Sequence, residues 1–351
     1  MKCAYLVVGA ALLLALSPLA PPGAAHARLR LTYLGAAGWE LTDGSVVILV
    51  DPYLTRAKYG TPIDDVAADD PRPEVGNSTI VPPDTAVIDR HITRADAILV
   101  THTHPDHALD VPHIAQRTGA LVVGTASTAN LARASGVPGR QLRIVSGQEV
   151  LDIKGVSVRV IPSLHGIFRR PTNPSAPART PPVFPADAKP PFRYGQHVEG
   201  GTLAYLIHLG GHQIIVFGSM NYLEEELAGL RPNIALIGAM PERANIDRYT
   251  ERLLNALGRP RLVIPNHWDR FNVPFGYTQQ PALDRLQSFI TEVRRASPET
   301  KVIVPEHFKA IVIDPFTSPS RPSLAGQWVL APSAQNGVGS TLRPSPAAQG
   351  R

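Results

Sequence analysis

Four side chains suited to cation ligation, His102, His104, Asp106 and His107, fall within six residues, directly after the apolar run Ala97-Ile98-Leu99-Val100. Such a run predicts a buried strand, whose end must deliver the whole cluster onto one loop. Residues two apart in extended backbone leave on the same side, which brings the imidazoles of His102 and His104 together. Pro105 then turns the chain, and Asp106 and His107 address a second position nearby. Neutral imidazole and carboxylate are ligands that zinc, manganese and iron take. A polar strand-to-helix turn with coincidental histidines is the bland alternative.

The rest of the chain alternates short strands with helices. Strands are predicted at 29–34, 39–41 and 46–50, with Thr42-Asp43-Gly44-Ser45 as a hairpin turn, then at 121–123, 156–161, 203–209, 213–217, 234–237, 262–264 and 302–304. Helices are predicted at 111–118, 127–134, 223–230, 247–257 and 282–295, with Asp110 as a cap. Two early sheet segments followed by mixed units imply a layered α/β (α+β) arrangement with helices outside. A Pro- and Asp-rich excursion covers 53–89, and 168–194 is crowded with proline, as a lid or a disordered insertion. In that segment Arg169, Arg170, Arg179, Lys189 and Arg193 either fringe the site or form a solvated face.

Residues 1–27 read as an export signal: Lys2 starts it, Val7 to Leu16 form the apolar middle, and Ala25-His26-Ala27 the cleavage site. A retained anchor is the competing reading, though the apolar run is shorter than the ~20 residues a spanning helix needs. Cleavage would remove Cys3, the sole cysteine, and leave 28–317 as one folded domain with no stable membrane span, periplasmic or secreted. The tail 318–351, rich in Pro, Ser, Gly and Gln, is expected to be disordered. Formal charge is +5 without a dense basic tract, so no nucleic-acid partner is expected.

Two further histidines each follow an apolar strand: His165 after Val160-Ile161-Pro162-Ser163-Leu164, and His267 after Val263-Ile264-Pro265-Asn266. With these, the chain from Leu31 to about Ile313 resembles the metallo-β-lactamase superfamily, whose signature is His-x-His-x-Asp-His plus later strand-end histidines. Ile48-Leu49-Val50-Asp51-Pro52, Gly200-Gly201-Thr202-Leu203-Ala204-Tyr205 and Pro265-Asn266-His267-Trp268 are similar to its ascorbate-phosphate lactonase-like and phospholipase D-like branch. The resemblance implies a four-layer αββα sandwich with metals at one edge between the sheets. It implies that His102, His104 and His165 bind one ion and Asp106, His107 and His267 another, with Zn2+ as cofactor in one or two copies and Mn2+ or Fe2+ as substitutes. Asp51 resembles the early strand-end aspartate that supports the ligand loops.

One phrase departs from the pattern. Family hydrolases commonly carry a bridging aspartate in a Gly-Asp-Thr-like phrase, whereas here Phe217-Gly218-Ser219-Met220-Asn221 puts Ser219 at that position. Ser219 is then either a weak further ligand or a tight-turn residue, and the second ion should be held less firmly. Asn221 is taken to reach the substrate.

The expected activity is hydrolysis of an ester, lactone or phosphodiester in a small-molecule or lipid-like substrate by metal-activated water, with Asp106 orienting that water. No Gly-x-Ser-x-Gly elbow is present. The alternatives are a secreted metal- or ligand-binding module without catalysis and, behind it, an iron oxidoreductase on the same scaffold.

Overall fold

The first strand, β1 (Leu29–Gly35), sends Leu29, Leu31 and Tyr33 into one apolar cluster and Leu34 into another, the split a period of two imposes on a strand buried on both faces. After β2 (Gly38–Thr42), β3 (Val47–Val50) repeats it, with Ile48 and Val50 on one side and Leu49 on the other. The computed structural model describes residues 28–61, 66–167 and 182–315. The expected signal with Cys3, the stretch 168–181 with Arg169, Arg170 and Arg179, and the tail from 318 lie outside the described residues.

The first half continues with α1 (Thr85–His91), β4 (Ala97–Leu99), α2 (Pro105–Ala108), α3 (Val111–Thr118), β5 (Leu121–Gly124), α4 (Ala126–Ala134) and β6 (Leu142–Ile144). The second holds β7 (Val150–Ile153), β8 (Val156–Ser163), β9 (Thr202–Leu209), β10 (His212–Phe217), β11 (Ile234–Gly238), α5 (Tyr249–Ala256), β12 (Leu262–Asn266), α6 (Gln280–Ala296), β13 (Lys301–Val302) and β14 (Ala310–Ile313).

These strands make two seven-stranded mixed sheets, ordered β14-β1-β2-β3-β4-β5-β6 and β13-β12-β11-β10-β9-β8-β7. The last strand crosses back to the first sheet, pairing antiparallel with β1 as Leu29 to Ile313. Between the sheets Leu31, Tyr33 and Val50 share a core with Val158, Tyr205 and Val216. Outside the first sheet, Leu49, Ile98 and Val122 pack under Ile88, Ile114 and Leu131 of α1, α3 and α4. Outside the second, α5 and α6 contribute Leu253, Leu254, Leu286 and Phe289. This is the αββα sandwich, assembled because each sheet has two apolar faces to cover.

Three sequence expectations need correction. The helix placed at 223–230 is a single 3-10 turn, Glu225–Leu227, because Gly229 takes a positive φ of 80° and Pro232 follows. The strand expected at 302–304 is β13, Lys301–Val302, with one more hydrogen bond from the Ile303 N–H to the Val263 carbonyl at 3.2 Å. Asp110 does not cap α3 with its side chain. The sequence reading also missed α1, whose Asp84 side chain accepts from the Val87 N–H at 3.1 Å. Among the described residues no helix is long and apolar enough to cross a membrane.

Candidate metal centre

Five strands from both sheets end at one edge, and the residues that follow them build the site: Asp51 after β3, the 101–107 run after β4, His165 after β8, Ser219 after β10 and His267 after β12. Asp51 holds a left-handed φ of 42° and is fully buried. That strain turns its carboxylate back toward β4, where Oδ1 accepts the Thr101 N–H at 2.7 Å and Oδ2 the Thr101 hydroxyl. The Thr101 hydroxyl oxygen lies 3.2 Å from His102 Nδ1, so a proton on Nδ1 leaves the Nε2 lone pair facing the site. His102 Nε2 and His104 Nδ1 stand 3.1 Å apart. The His165 ring lies edge-on to both, with centroids at 4.8 and 4.7 Å, and its Nδ1 contacts the Gly166 carbonyl at 3.1 Å.

Pro105 opens α2 and sets its first turn, which carries Asp106 and His107 to the other side of His102. Asp106 Oδ2 is 3.0 Å from His267 Nε2 and 3.4 Å from His107 Nε2, while His107 Nδ1 is 2.8 Å from Asp51 Oδ2. His267 also adopts a left-handed φ, 51°, with its N–H donating to the Ala36 carbonyl at 2.8 Å. The structure therefore brings the expected donors together in two triads, His102, His104, His165 and Asp106, His107, His267, each with its ligand atoms within 4.8 Å of one another.

The electrostatics of the first triad fit a cation. Burial, reinforced by the neighbouring imidazoles, pushes His102 well below the usual histidine range and His165 to about 3. Burial also brings His104 to about 4, against the pull of Asp106. Rings held neutral in this way keep lone pairs that a cation can take without first displacing a proton. In the second triad burial opposes the charge on His107, but the carboxylates of Asp106 and Asp51 outweigh it and lift the ring to about 10. The buried Nδ1 of His267 has no hydrogen-bond partner among the described residues.

Ser219 and Asn221 both bond to the loop that carries His165. The Ser219 hydroxyl accepts the Gly166 N–H at 2.8 Å, so it holds the His165 loop. Asn221, expected at the substrate, is absent from the cavity lining. Its Nδ2 donates to the His165 carbonyl at 3.1 Å and its Oδ1 accepts from Tyr222 N–H at 2.9 Å, so both ends of the amide are used inside that loop. Gly218 explains the phrase before them: a Cβ there would come within 2.0 Å of Thr101 Oγ1 and 2.6 Å of Asp51 Oδ2.

Asp110, fully buried, accepts the Leu54 and Thr55 N–H groups at 2.6 and 2.9 Å and so pins the start of the 53–89 excursion beside α2. Burial raises its pKa to about 6 despite those donors. His113 pairs with Asp89 at 2.9 Å, and His91 stacks on Phe308.

A support that sequence reasoning missed lies behind His267. The buried Asp269 carboxylate takes Arg56 Nη1 at 2.9 Å and His307 Nε2 at 2.8 Å on Oδ2, and the Ala36 N–H at 2.9 Å on Oδ1. It ties the loop after β12 to the turn before β2.

Above the triads is a cavity of about 380 Å³. The excursion and the Pro-rich segment wall it jointly: Tyr194 N–H donates to the Thr79 carbonyl at 2.8 Å and Gly195 N–H to the Asn77 carbonyl at 2.9 Å. From the described part of the Pro-rich segment Tyr194 reaches the cavity lining, and Phe184 anchors the stretch, fully buried with its N–H on Ser127 Oγ at 3.0 Å. Tyr59, Tyr194, His197 and Phe271 line the cavity and carried no signal in the sequence.

A profile of the Beta-lactamase superfamily domain matches residues 30–267, a span that includes both triads. A UPF0173 metal-dependent hydrolase from Symbiobacterium thermophilum is 28% identical over 253 residues, covering 70% of this chain and 86% of the relative. One from Pelotomaculum thermopropionicum is 27% identical over 281 residues, covering 79% of this chain and 97% of its own length. Among solved structures, a possible metal-dependent hydrolase from Veillonella parvula aligns with a TM-score of 0.51 at 16% identity, over 81% of this chain and 99% of that one, a likeness of fold.

Proposed function

Because the chain belongs to the metallo-β-lactamase superfamily and is a metal-dependent hydrolase within it, we propose that it cleaves an ester, lactone or phosphodiester at the floor of the 380 Å³ cavity. In this reading His102, His104 and His165 hold one cation and Asp106, His107 and His267 a second. The observation that supports it is the convergence of six nitrogen and oxygen donors from three separate stretches of chain, all facing one cavity.

The donors suit zinc, with manganese or ferrous iron as alternatives. Held by these residues, such ions would supply Lewis acidity toward water and toward negative charge on the substrate oxygen. The chain's own groups supply orientation. Asp51 fixes the His107 tautomer by accepting from Nδ1, and Thr101 does the same for His102. Asp106 faces the cavity, where its carboxylate can accept a proton of the attacking water and align it. Ser219 and Asn221 hold the loop that presents His165. Tyr194 and Phe271 add aromatic surface to the walls above the floor.

The test is metal analysis together with a screen of generic ester, lactone, phosphodiester and β-lactam substrates, repeated with His104→Ala. Turnover that depends on metal and disappears in the variant supports the proposal. Metal-dependent turnover that survives the substitution refutes it.

A further inference from the structure

A second cavity, of about 590 Å³, opens between α5, α6 and the 3-10 turn Pro241–Asn245, and among the described residues it shares no lining side chain with the cavity above the triads. Four arginines line it. They converge from separate places in the chain: Arg243 in the turn, Arg248 at the start of α5, Arg259 just past its end and Arg295 in the last turn of α6. Two glutamates answer two of them. Glu292 takes Arg243 Nε at 3.1 Å and Nη2 at 2.8 Å, and Glu251 takes Arg248 Nε at 2.9 Å and its Nη2. The buried Arg243 also donates to the Ala239 carbonyl at 2.9 Å and the Ser288 hydroxyl at 2.6 Å, so the fold uses it fully.

The other two arginines are in excess. Arg259 keeps one hydrogen bond, from Nε to Asn255 Oδ1 at 3.2 Å, and neither it nor Arg295 has an ion pair among the described residues. The charge of Arg259 is felt at Glu251 and that of Arg295 at Glu292, without a bond in either case. Each glutamate is thus flanked by two guanidinium groups, and the lining carries a formal surplus of +2. The backbone adds a second observation. φ is 46° at Arg248 and 58° at Arg259, a left-handed conformation that costs a residue with a side chain about 1–2 kcal/mol. Asp51 and His267 hold the same conformation at the metal centre, and strain of this kind collects where a side chain has to be aimed.

Guanidinium forks fit the oxygens of a phosphate group, two at a time. A phosphate monoester carries close to two negative charges at neutral pH, which matches the surplus on this lining. The volume leaves room for the organic group such an ester bears. We propose that this cavity binds a phosphate monoester as its dianion, with Arg259 and Arg295 on the phosphate oxygens and Arg248 beside them. The site is separate from the metal centre and uses none of its residues, so it stands whether or not the hydrolase reading does.

The experiment titrates the full chain, loaded with zinc, with glucose 6-phosphate in a calorimeter, and uses glucose and glucose 6-sulfate as uncharged and singly charged controls. Saturable binding of the phosphate is expected, with the sulfate weaker and glucose silent. Arg259→Gln and Arg295→Gln, both exposed positions, should each weaken it about tenfold with the circular dichroism spectrum unchanged. The same binding should persist in His104→Ala, which separates it from any anion held at the metal centre. Sedimentation with phosphatidylcholine vesicles that contain phosphatidic acid, lost in the two arginine variants, would place the monoester on a lipid. Binding of glucose 6-phosphate without such sedimentation places it on a soluble molecule. No binding of glucose 6-phosphate, or binding that both arginine variants leave unchanged, overturns the proposal.

Discussion

Oδ2 of Asp51 lies 2.8 Å from Nδ1 of His107, and the same carboxylate holds the Thr101 N–H at the root of the His102 loop. One buried side chain therefore orients parts of both triads. Asp51→Asn keeps the shape but leaves one acceptor oxygen for three donors. It is expected to weaken cation binding about 10- to 100-fold, measured by competition with a chromophoric chelator, with the circular dichroism spectrum unchanged. Unaltered affinity would remove Asp51 from the account.

Gly218, just past β10, lies close against Thr101 and Asp51 of the other sheet's strand ends. Gly218→Ala places a Cβ 2.0 Å from Thr101 Oγ1, so either Thr101 or the β10 end must shift. The expected cost is about 1–3 kcal/mol of stability in urea unfolding, accompanied by weaker metal binding because Asp51 loses its seat. An alanine variant as stable as the parent would contradict the packing described.

The Arg56–Asp269 pair is buried on both sides, with side chains 1% and 0% exposed. Removing one partner strands the other, and Asp269→Ala should cost about 3–5 kcal/mol. The pair also fixes a pH dependence. Burial opposes ionisation of Asp269, but Arg56 and His307 prevail and hold its carboxyl far below the usual range. The folded value is depressed, so this stabilisation is complete above the unfolded value near about pH 4 and is lost as pH falls below it. Between pH 6 and 3 the unfolding free energy of the parent should fall more steeply than that of Asp269→Asn. Parallel curves would show that the pair carries no such linkage.

Ser219→Asp restores a carboxylate beside the donors while still offering an oxygen to the Gly166 N–H. An added negative charge there should tighten the more weakly held cation about tenfold, read by calorimetric titration of metal-free protein. No change, or looser binding, would show that the serine's place is structural alone.

The donors were legible because each signal is local. His102, His104, Asp106 and His107 declare themselves by spacing, and His165 and His267 by following apolar runs. Short apolar runs marked β1, β3, β4 and β5 of the first sheet for the same reason. What stayed hidden depends on partners far away in the chain. Asp269 is an ordinary loop aspartate until Arg56 arrives, 213 residues distant in sequence. Tyr59 and His197 become cavity walls only when segments 77–80 and 193–195 pair across two loops that look featureless in composition. Asn221 misled because an amide near a site in sequence can serve the backbone instead of the cavity.

Metal content per chain, measured by plasma mass spectrometry on the purified protein and on His165→Ala and His267→Ala, tests the central claim most directly. The account expects two cations per chain in the parent, one for each triad, and loss of one in each variant. Parent protein without stoichiometric metal after incubation with zinc, or variants that both keep the full complement, would contradict it.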